Sequence, residues 1–202
     1  MHYSKCKQRL IDMISEIIIF SHPESDYLSF ENGKYTFDYN GKKIWYAGNP
    51  RYIVETFFDN QYKGFDCKGK TVVDIGAAEG DTLLWFSLNG ARNVIAYEMD
   101  ENRVNIAKFN RDINCLKDTS IYCEKVTKLP IPDDENWVVK IDVEGDEYNI
   151  LENSKDYVGK YNQVILEYHK GLQHLPTFFK DRGFIVEARP MNDMVGFLLA
   201  KK

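Results

Sequence analysis

From Lys70 onward, short apolar runs rich in β-branched residues alternate with segments whose apolar residues recur at helical spacing. Such runs are typical of buried strands, and a 3.6-residue period is typical of helices. We expect strands at residues 71–74, 93–98, 120–123, 137–142, 163–169, 184–188 and 194–200. We expect helices at residues 81–89, 101–114, 147–152 and 172–182. This alternation predicts a doubly wound, mostly parallel α/β sheet with helices on both faces.

Details of the pattern refine this prediction. The helix at 81–89 should be amphipathic, and the helix at 101–114 should bury Ile106, Phe109 and Ile113, which recur at helical spacing. The last two predicted strands are joined by a turn at 190–193, so they should close a seven-stranded sheet as an antiparallel pair.

Residues 1–66 have a different pattern. Leu10, Ile14 and Ile17 predict an amphipathic helix. Asn40-Gly41 lies between two alternating segments, which predicts a tight β-hairpin, and Pro50 suits the first position of a second helix. We therefore divide the chain into an N-terminal extension, 1–66, and a main domain, 67–202. The extension could be a lid over a substrate, a dimer surface or a cover for the sheet.

Composition sets limits on function. The chain has 202 residues, 44% of them hydrophobic, which suffices for a packed core. Its net charge of −5 argues against a nucleic-acid-binding basic face. The four cysteines lack metal-binding spacing, which favours reduced thiols. Without an apolar segment long enough for a signal peptide or membrane span, we expect a cytoplasmic protein with no membrane partner.

The loop after the first strand of the main domain is typical of a nucleoside-binding turn. Gly76 and Gly80 allow the backbone to turn sharply beside a ligand. Glu98 ends the next strand, 24 residues after Asp74, near the offset at which an acid binds ribose hydroxyls. Ala78 interrupts the dinucleotide fingerprint Gly-x-Gly-x-x-Gly.

Acidic residues narrow the choice of ligand. Glu79 and Asp81 flank the start of the helix where a pyrophosphate would lie, so they disfavour NAD and ATP. A cationic ligand such as S-adenosylmethionine suits them better. The alternative is a plain strand–helix turn.

Four of the predicted strands of the main domain end in or near a carboxylate, namely Asp74, Glu98, Asp142 and Glu167. Parallel strands place these ends at one edge, where ligands bind in open α/β sheets. His169 follows Glu167 by two residues and should share its face, so it could act as a general base. Asp142, Glu167 and His169 could instead hold a divalent metal, or His169 could be an ordinary hydrogen-bonded histidine.

These motifs, with Lys140-Ile141-Asp142-Val143-Glu144-Gly145 as the most specific, resemble the FkbM family of S-adenosylmethionine-dependent methyltransferases over residues 70–170. The resemblance implies the Rossmann-like class I methyltransferase fold. Ala78-Glu79 departs from the family, which often has Asn and a small hydrophobic residue there. The implied catalytic residues are His169, Asp142, Glu144 and Glu167. The implied cofactor-binding residues are Asp74, Gly76, Ala77, Gly80, Asp81, Thr82, Glu98, Met99, Lys125 and Asp142.

The sequence thus favours a methyltransferase that uses S-adenosylmethionine and methylates a hydroxyl of a sugar or another small molecule. A tRNA methyltransferase is the second possibility, although the acidic charge disfavours it. The third is a non-catalytic partner subunit that binds the cofactor. A divalent metal and a homodimer stay open.

Overall fold

The computed structural model describes residues 28–59 and 61–202. Within these ranges, ten strands form two sheets. The strands are β1 (Ser29–Glu31), β2 (Lys34–Tyr39), β3 (Lys42–Tyr46), β4 (Thr71–Ile75), β5 (Asn93–Glu98), β6 (Thr119–Cys123), β7 (Trp137–Ile141), β8 (Gln163–Tyr168), β9 (Ile185–Pro190) and β10 (Gly196–Lys201). The α-helices are α1 (Pro50–Ile53), α2 (Asp81–Leu88), α3 (Glu101–Ile113), α4 (Glu147–Asn153) and α5 (Leu175–Lys180). A π-helical turn (Val54–Phe58) continues α1, and a 3₁₀ turn (Val158–Lys160) follows α4.

The larger sheet has seven strands in the order β6-β5-β4-β7-β8-β10-β9. The first five are parallel, and β10 lies antiparallel between β8 and β9. This confirms the predicted doubly wound sheet with an antiparallel C-terminal pair. The strands β5, β4, β7 and β8 are neighbours, so their acidic carboxyl ends meet at one edge as expected.

The core lies on the two faces of this sheet, and α2 packs against one of them. The expectation of an amphipathic α2 was wrong: Leu83, Leu84 and Phe86 are all buried. Leu83 and Phe86 pack on the sheet, whereas Leu84 joins a cluster with Phe37 of β2. The helix is covered on two sides because the N-terminal strands lie against its outer face.

The predicted buried face of α3 was also wrong. Phe109 is exposed, and the buried residues are Val104, Ala107 and Asn110. Asn110 accepts a hydrogen bond from Ala47 N at 2.7 Å and donates one to Ala47 O at 2.8 Å. The buried face of α3 therefore includes a polar side chain, because Asn110 forms hydrogen bonds with the backbone of the segment after β3.

The predicted hairpin is confirmed as β2 and β3, and β1 adds a third antiparallel strand. The predicted second helix begins at Pro50, as expected, with Asn49 as its N-cap. The predicted helix over residues 10–18 lies outside the described residues. The three described cysteines, Cys67, Cys115 and Cys123, are free. Within the described ranges, no helix is long and apolar enough to cross a membrane.

Candidate functional site

A cavity of about 690 Å³ lies at the carboxyl edge of the parallel strands. This volume is in the range of small-molecule sites. The ends of β4, β5, β7 and β8 form its floor, and side chains of α1 and the segment after it form part of its wall. The cavity wall includes Glu98, Asp142, Glu144 and Glu167, so one site contains most of the carboxylates predicted from the sequence.

Asp74 does not reach the cavity wall formed by the described residues. It is fully buried, accepts a hydrogen bond from Thr82 Oγ1 at 2.5 Å and lies 3.2 Å from Lys140 Nζ. Thr82 does line the cavity. Asp74 is thus placed to fix Thr82 and Lys140, rather than to contact a ligand directly.

Lys140 is a site residue that the sequence analysis did not single out. Its buried Nζ donates to Gly76 O at 2.6 Å and lies 3.7 Å from Asp142 Oδ2. Burial alone would lower the Lys140 pKa, but the charges of Asp74 and Asp142 hold it above its usual value. Strand alternation could have identified Lys140 as a site residue, because it places Lys140 and Asp142 on the same face of the sheet.

Both loop glycines have the positive φ that the expected sharp turn requires, but a side chain at either position would first meet protein atoms. A Cβ on Gly76, which has φ +81°, would lie 1.7 Å from the backbone oxygen of Asp142. A Cβ on Gly80 would lie 3.0 Å from Ala107 Cα in α3. Gly76 lines the cavity, but Gly80 and Ala77 do not. Both glycines therefore permit close packing of the protein backbone. A side chain at Gly80 would contact α3 and would not enter the cavity.

Glu98, at the end of β5, lies in the cavity wall. It is buried, and its two oxygens accept hydrogen bonds from Ala78 N at 3.1 Å and Asp100 N at 2.9 Å. A carboxylate has further lone pairs, so it can accept from two hydroxyls as well. Met99 and Lys125 also line the cavity, as does Tyr97, which the sequence analysis did not predict.

Glu79 has a structural role that the sequence did not reveal. Its Oε2 accepts from Asn49 N at 2.6 Å and Tyr46 Oη at 3.2 Å, so it fastens the N-terminal strands to the glycine loop. Glu79 is absent from the described cavity wall, so its charge acts on a ligand there from a distance and not by contact.

Asp81 does line the cavity, and burial raises its pKa to about 7. Its Oδ2 accepts from Thr56 Oγ1 at 2.6 Å. Its Oδ1 is buried and has no hydrogen-bond partner among the described residues. This orphaned acceptor is suited to a cationic donor, because an unpaired buried carboxylate oxygen is costly.

Asp142 and Glu167 lie at the ends of β7 and β8 and form a partly buried cluster of carboxylates. Burial, together with the charge of Asp142, raises the pKa of Glu167 to about 7, against the opposing effect of His169. Burial likewise raises the pKa of Asp142, although Lys140 and His169 oppose it. A cavity-lining carboxyl that titrates near neutrality can accept or release a proton in the working range of an enzyme.

His169 lies beside this cluster, as strand alternation predicted, but it is not part of the cavity wall as the described residues form it. Its Nε2 lies 3.5 Å from Glu144 Oε2 and 3.8 Å from Glu167 Oε1. Burial lowers the His169 pKa, but the hydrogen bond and charge of Glu147 outweigh this effect and raise it. The imidazole thus favours its cationic form.

Glu147 was not predicted as a site residue. It is fully buried, and its Oε1 lies 2.8 Å from His169 Nδ1. The same oxygen accepts from Gly145 N at 3.0 Å and Val143 N at 3.3 Å. Glu147 therefore fixes both the His169 ring and the loop after β7. Its place in the first turn of a helix was the available signal, but the sequence analysis gave it no role.

Among the residues that the structure describes, one potential metal-ligand set comes together. Asp142, Glu144 and His169 have ligand atoms within 4.8 Å of one another. The sequence analysis had named Glu167 as the third possible ligand, whereas the structure places Glu144 there. Lys140 already places a positive charge near Asp142.

Comparisons with known proteins agree with this architecture. No protein-family model matches the chain, and no curated protein matches it in sequence. Solved structures do match. A SAM-dependent methyltransferase from Aquifex aeolicus has a TM-score of 0.54 and 19% identity over 76% of this chain and 93% of its own. TrmK from M. capricolum, in complex with S-adenosyl-homocysteine, has a TM-score of 0.56 and 18% identity over 72% of this chain and 68% of its own. Ribosomal protein L11 methylase from Lactobacillus delbrueckii subsp. bulgaricus has a TM-score of 0.53 and 17% identity over 77% of this chain and 80% of its own. The chain has the fold of class I S-adenosylmethionine-dependent methyltransferases.

Proposed function

We propose that this chain is an S-adenosylmethionine-dependent O-methyltransferase of the FkbM type that acts on a sugar or another small molecule in the cytoplasm. One observation carries the proposal. A single cavity joins Glu98, at the end of β5, to the titratable carboxylates Asp142 and Glu167, at the ends of β7 and β8. A nucleoside can thus bind at one end while a proton is accepted at the other.

The residues at the first end fit the cofactor. Glu98 can accept hydrogen bonds from the ribose hydroxyls, and Tyr97, Met99 and Val126 offer apolar surface to the adenine. The unpartnered Asp81 Oδ1 suits the ammonium group of the methionine portion. Lys125, which pairs with Asp146 at 2.8 Å, lies at the adenine end.

Bound S-adenosylmethionine supplies an electrophilic methyl group on its sulfonium and leaves as S-adenosylhomocysteine once the acceptor oxygen carries that methyl. Glu167, as a carboxylate in the cavity wall, accepts the hydroxyl proton. His169, held by Glu147, keeps a positive charge beside Glu167 and so favours its ionised form. Asp142 and Glu144 complete the acidic surface that faces the acceptor.

Two other functions are compatible with the fold. A tRNA methyltransferase would need a basic surface for the phosphate backbone, whereas this chain carries a net charge of −5. A non-catalytic partner subunit would bind the cofactor without turnover. A turnover assay with cofactor-loaded protein, and with tRNA as one acceptor, separates these functions from the proposed one.

Glu98→Ala should weaken S-adenosylhomocysteine binding by roughly 1.5–3 kcal/mol, because the ribose loses charge-assisted hydrogen bonds. Calorimetry with S-adenosylhomocysteine and with NAD measures this effect. Glu101→Ala is the control, since Glu101 is an exposed residue of α3 outside the cavity wall. Heat with NAD but none with S-adenosylhomocysteine would overturn the proposed cofactor.

Cofactor affinity should rise with pH as Asp81 ionises. The Asp81 pKa is about 7 in the free protein, and an ammonium group binds the carboxylate form. Below that pKa, affinity should fall by up to about tenfold per pH unit, and above it the dependence should level off. Calorimetry over this range tests the prediction. Asp81→Asn should bind more weakly and lose the slope. An unchanged slope in that variant would show that another group is responsible.

A further inference from the structure

We infer that the acceptor carries an oxyanion, a carboxylate or a phosphate, which binds Arg189 at the end of the cavity opposite the cofactor. This inference rests on the proposed function, since it names the class of molecule that presents its hydroxyl to Glu167. It follows from the arrangement of three side chains across three adjacent strands.

Glu167 of β8 lies opposite Phe197 of β10, and Phe197 lies opposite Arg189 of β9. Residues that are directly opposite in antiparallel strands point to the same face of the sheet. All three side chains line the cavity. Adjacent strands lie about 4.8 Å apart, so Glu167 and Arg189 are separated by roughly 10 Å at their Cα atoms, with the Phe197 ring between them.

The guanidinium of Arg189 lacks close partners. Its Nε and Nη2 are buried and make no hydrogen bond to any described residue. The nearest carboxylate, Glu187, lies 3.7 Å from Nε, and its own side chain is largely exposed. A partly desolvated guanidinium without hydrogen bonds is costly, and a bound oxyanion would satisfy it in bidentate geometry.

Of the other cations in the cavity wall, Arg103 is exposed to solvent, and the remaining three are already paired. Arg51 donates to Glu55 at 2.6 Å, Lys140 contacts Asp74, and Lys125 contacts Asp146. Arg189 is therefore available for a ligand. A molecule with a hydroxyl at one end, an oxyanion at the other and a ring between them matches the row Glu167, Phe197, Arg189.

The test uses three small probes with S-adenosylhomocysteine-saturated protein: benzoate, phenyl phosphate and the neutral benzamide. Calorimetry or ligand-observed NMR should show that at least one anion binds roughly tenfold or more tightly than benzamide. The tighter of the two anions identifies carboxylate or phosphate as the preferred group. Arg189→Gln should abolish the preference, and Arg189→Lys should retain part of it.

Arg111→Gln is the matched control, because Arg111 pairs with Asp112 on the surface of α3 and does not line the cavity. Its anion preference should equal that of the unchanged protein. S-adenosylhomocysteine affinity, measured for each variant first, shows that the fold is intact. Equal binding of anions and benzamide, no anion binding at millimolar concentration, or a preference that survives Arg189→Gln would each overturn the inference. If S-adenosylhomocysteine does not bind, the proposed function fails, and the same probes on ligand-free protein still test Arg189.

Discussion

Glu167→Gln should lower methyl transfer by roughly 10²–10⁴-fold and leave S-adenosylhomocysteine affinity nearly unchanged, because the acceptor hydroxyl loses its proton acceptor. The amide keeps the size of the side chain but cannot take a proton. In the unchanged protein, turnover should rise with pH through about 7, since the Glu167 pKa lies there and only the carboxylate is active. Initial rates across this pH range measure both effects.

His169→Gln should have a smaller effect with a distinct signature. Removal of the cationic imidazole takes away a charge that lowers the Glu167 pKa, so the ascending part of the pH profile should move to higher pH. At high pH, most of the activity should return. If His169→Gln instead loses as much activity as Glu167→Gln at every pH, then His169 is the proton acceptor, as the sequence alone suggested.

Two controls accompany these variants. Glu101→Gln changes an exposed carboxylate of α3 that lies outside the cavity wall, so its pH profile should not move. A chelator separates the roles of His169: it should stop the reaction only if Asp142, Glu144 and His169 hold a metal ion. Loss of cofactor binding in Glu167→Gln would contradict the assignment of this residue to the acceptor end.

Gly76→Ala should destabilise the protein far more than an alanine at another glycine of similar backbone conformation. The new Cβ would lie 1.7 Å from Asp142 O, so β4 and the loop after β7 would have to separate. This movement also displaces Lys140, which donates to Gly76 O. We expect a loss of at least about 3 kcal/mol in the free energy of unfolding, together with loss of cofactor binding.

Gly183→Ala is the matched control, because Gly183 has φ +82° and open space around its missing Cβ. It should lose only the cost of the left-handed conformation, about 1–2 kcal/mol. Gly80→Ala should fall between the two, since Ala107 of α3 could yield by a few tenths of an ångström. Urea denaturation of the three variants measures the order. Equal losses at Gly76 and Gly183 would show that the contact with Asp142 is easily relieved.

Much of the fold could be predicted from the sequence because its signals are local. The apolar runs of β4 and β7 and the alternation around the Asn40-Gly41 turn depend only on neighbouring residues. The predictions of the buried helix faces failed for α2 and α3, which pack against the N-terminal strands as well as against the large sheet. Leu84 is buried by the N-terminal strands, and Phe109 is exposed because α3 turns Asn110 toward them. Helical periodicity gives no information about a cover that comes from distant residues.

The candidate site, like the fold, was predicted where local signals suffice and was missed where contacts come from distant residues. Alternation and strand ends brought Glu98, Asp142 and Glu167 to one cavity, because parallel strands must place their carboxyl ends together. The structural role of Glu79 was not predicted, since its partners Tyr46 and Asn49 come from a segment 30 or more residues earlier. Lys140 and Glu147 were missed because a buried charge acquires its role from partners that only the folded chain supplies.

The pattern of residues along the chain was enough to predict the class of fold, the edge of the sheet at which the cavity lies and most of the carboxylates gathered there, because these depend on periodicity and strand polarity. The folded chain was needed to show which carboxylates face the cavity, which titrate near neutrality and which hold neighbouring segments together through hydrogen bonds. It also showed that the row of Glu167, Phe197 and Arg189 lies on one surface. Burial and charge proximity arise from contacts between segments that are distant in the chain, and those contacts set both the pKa values and the partners of each side chain.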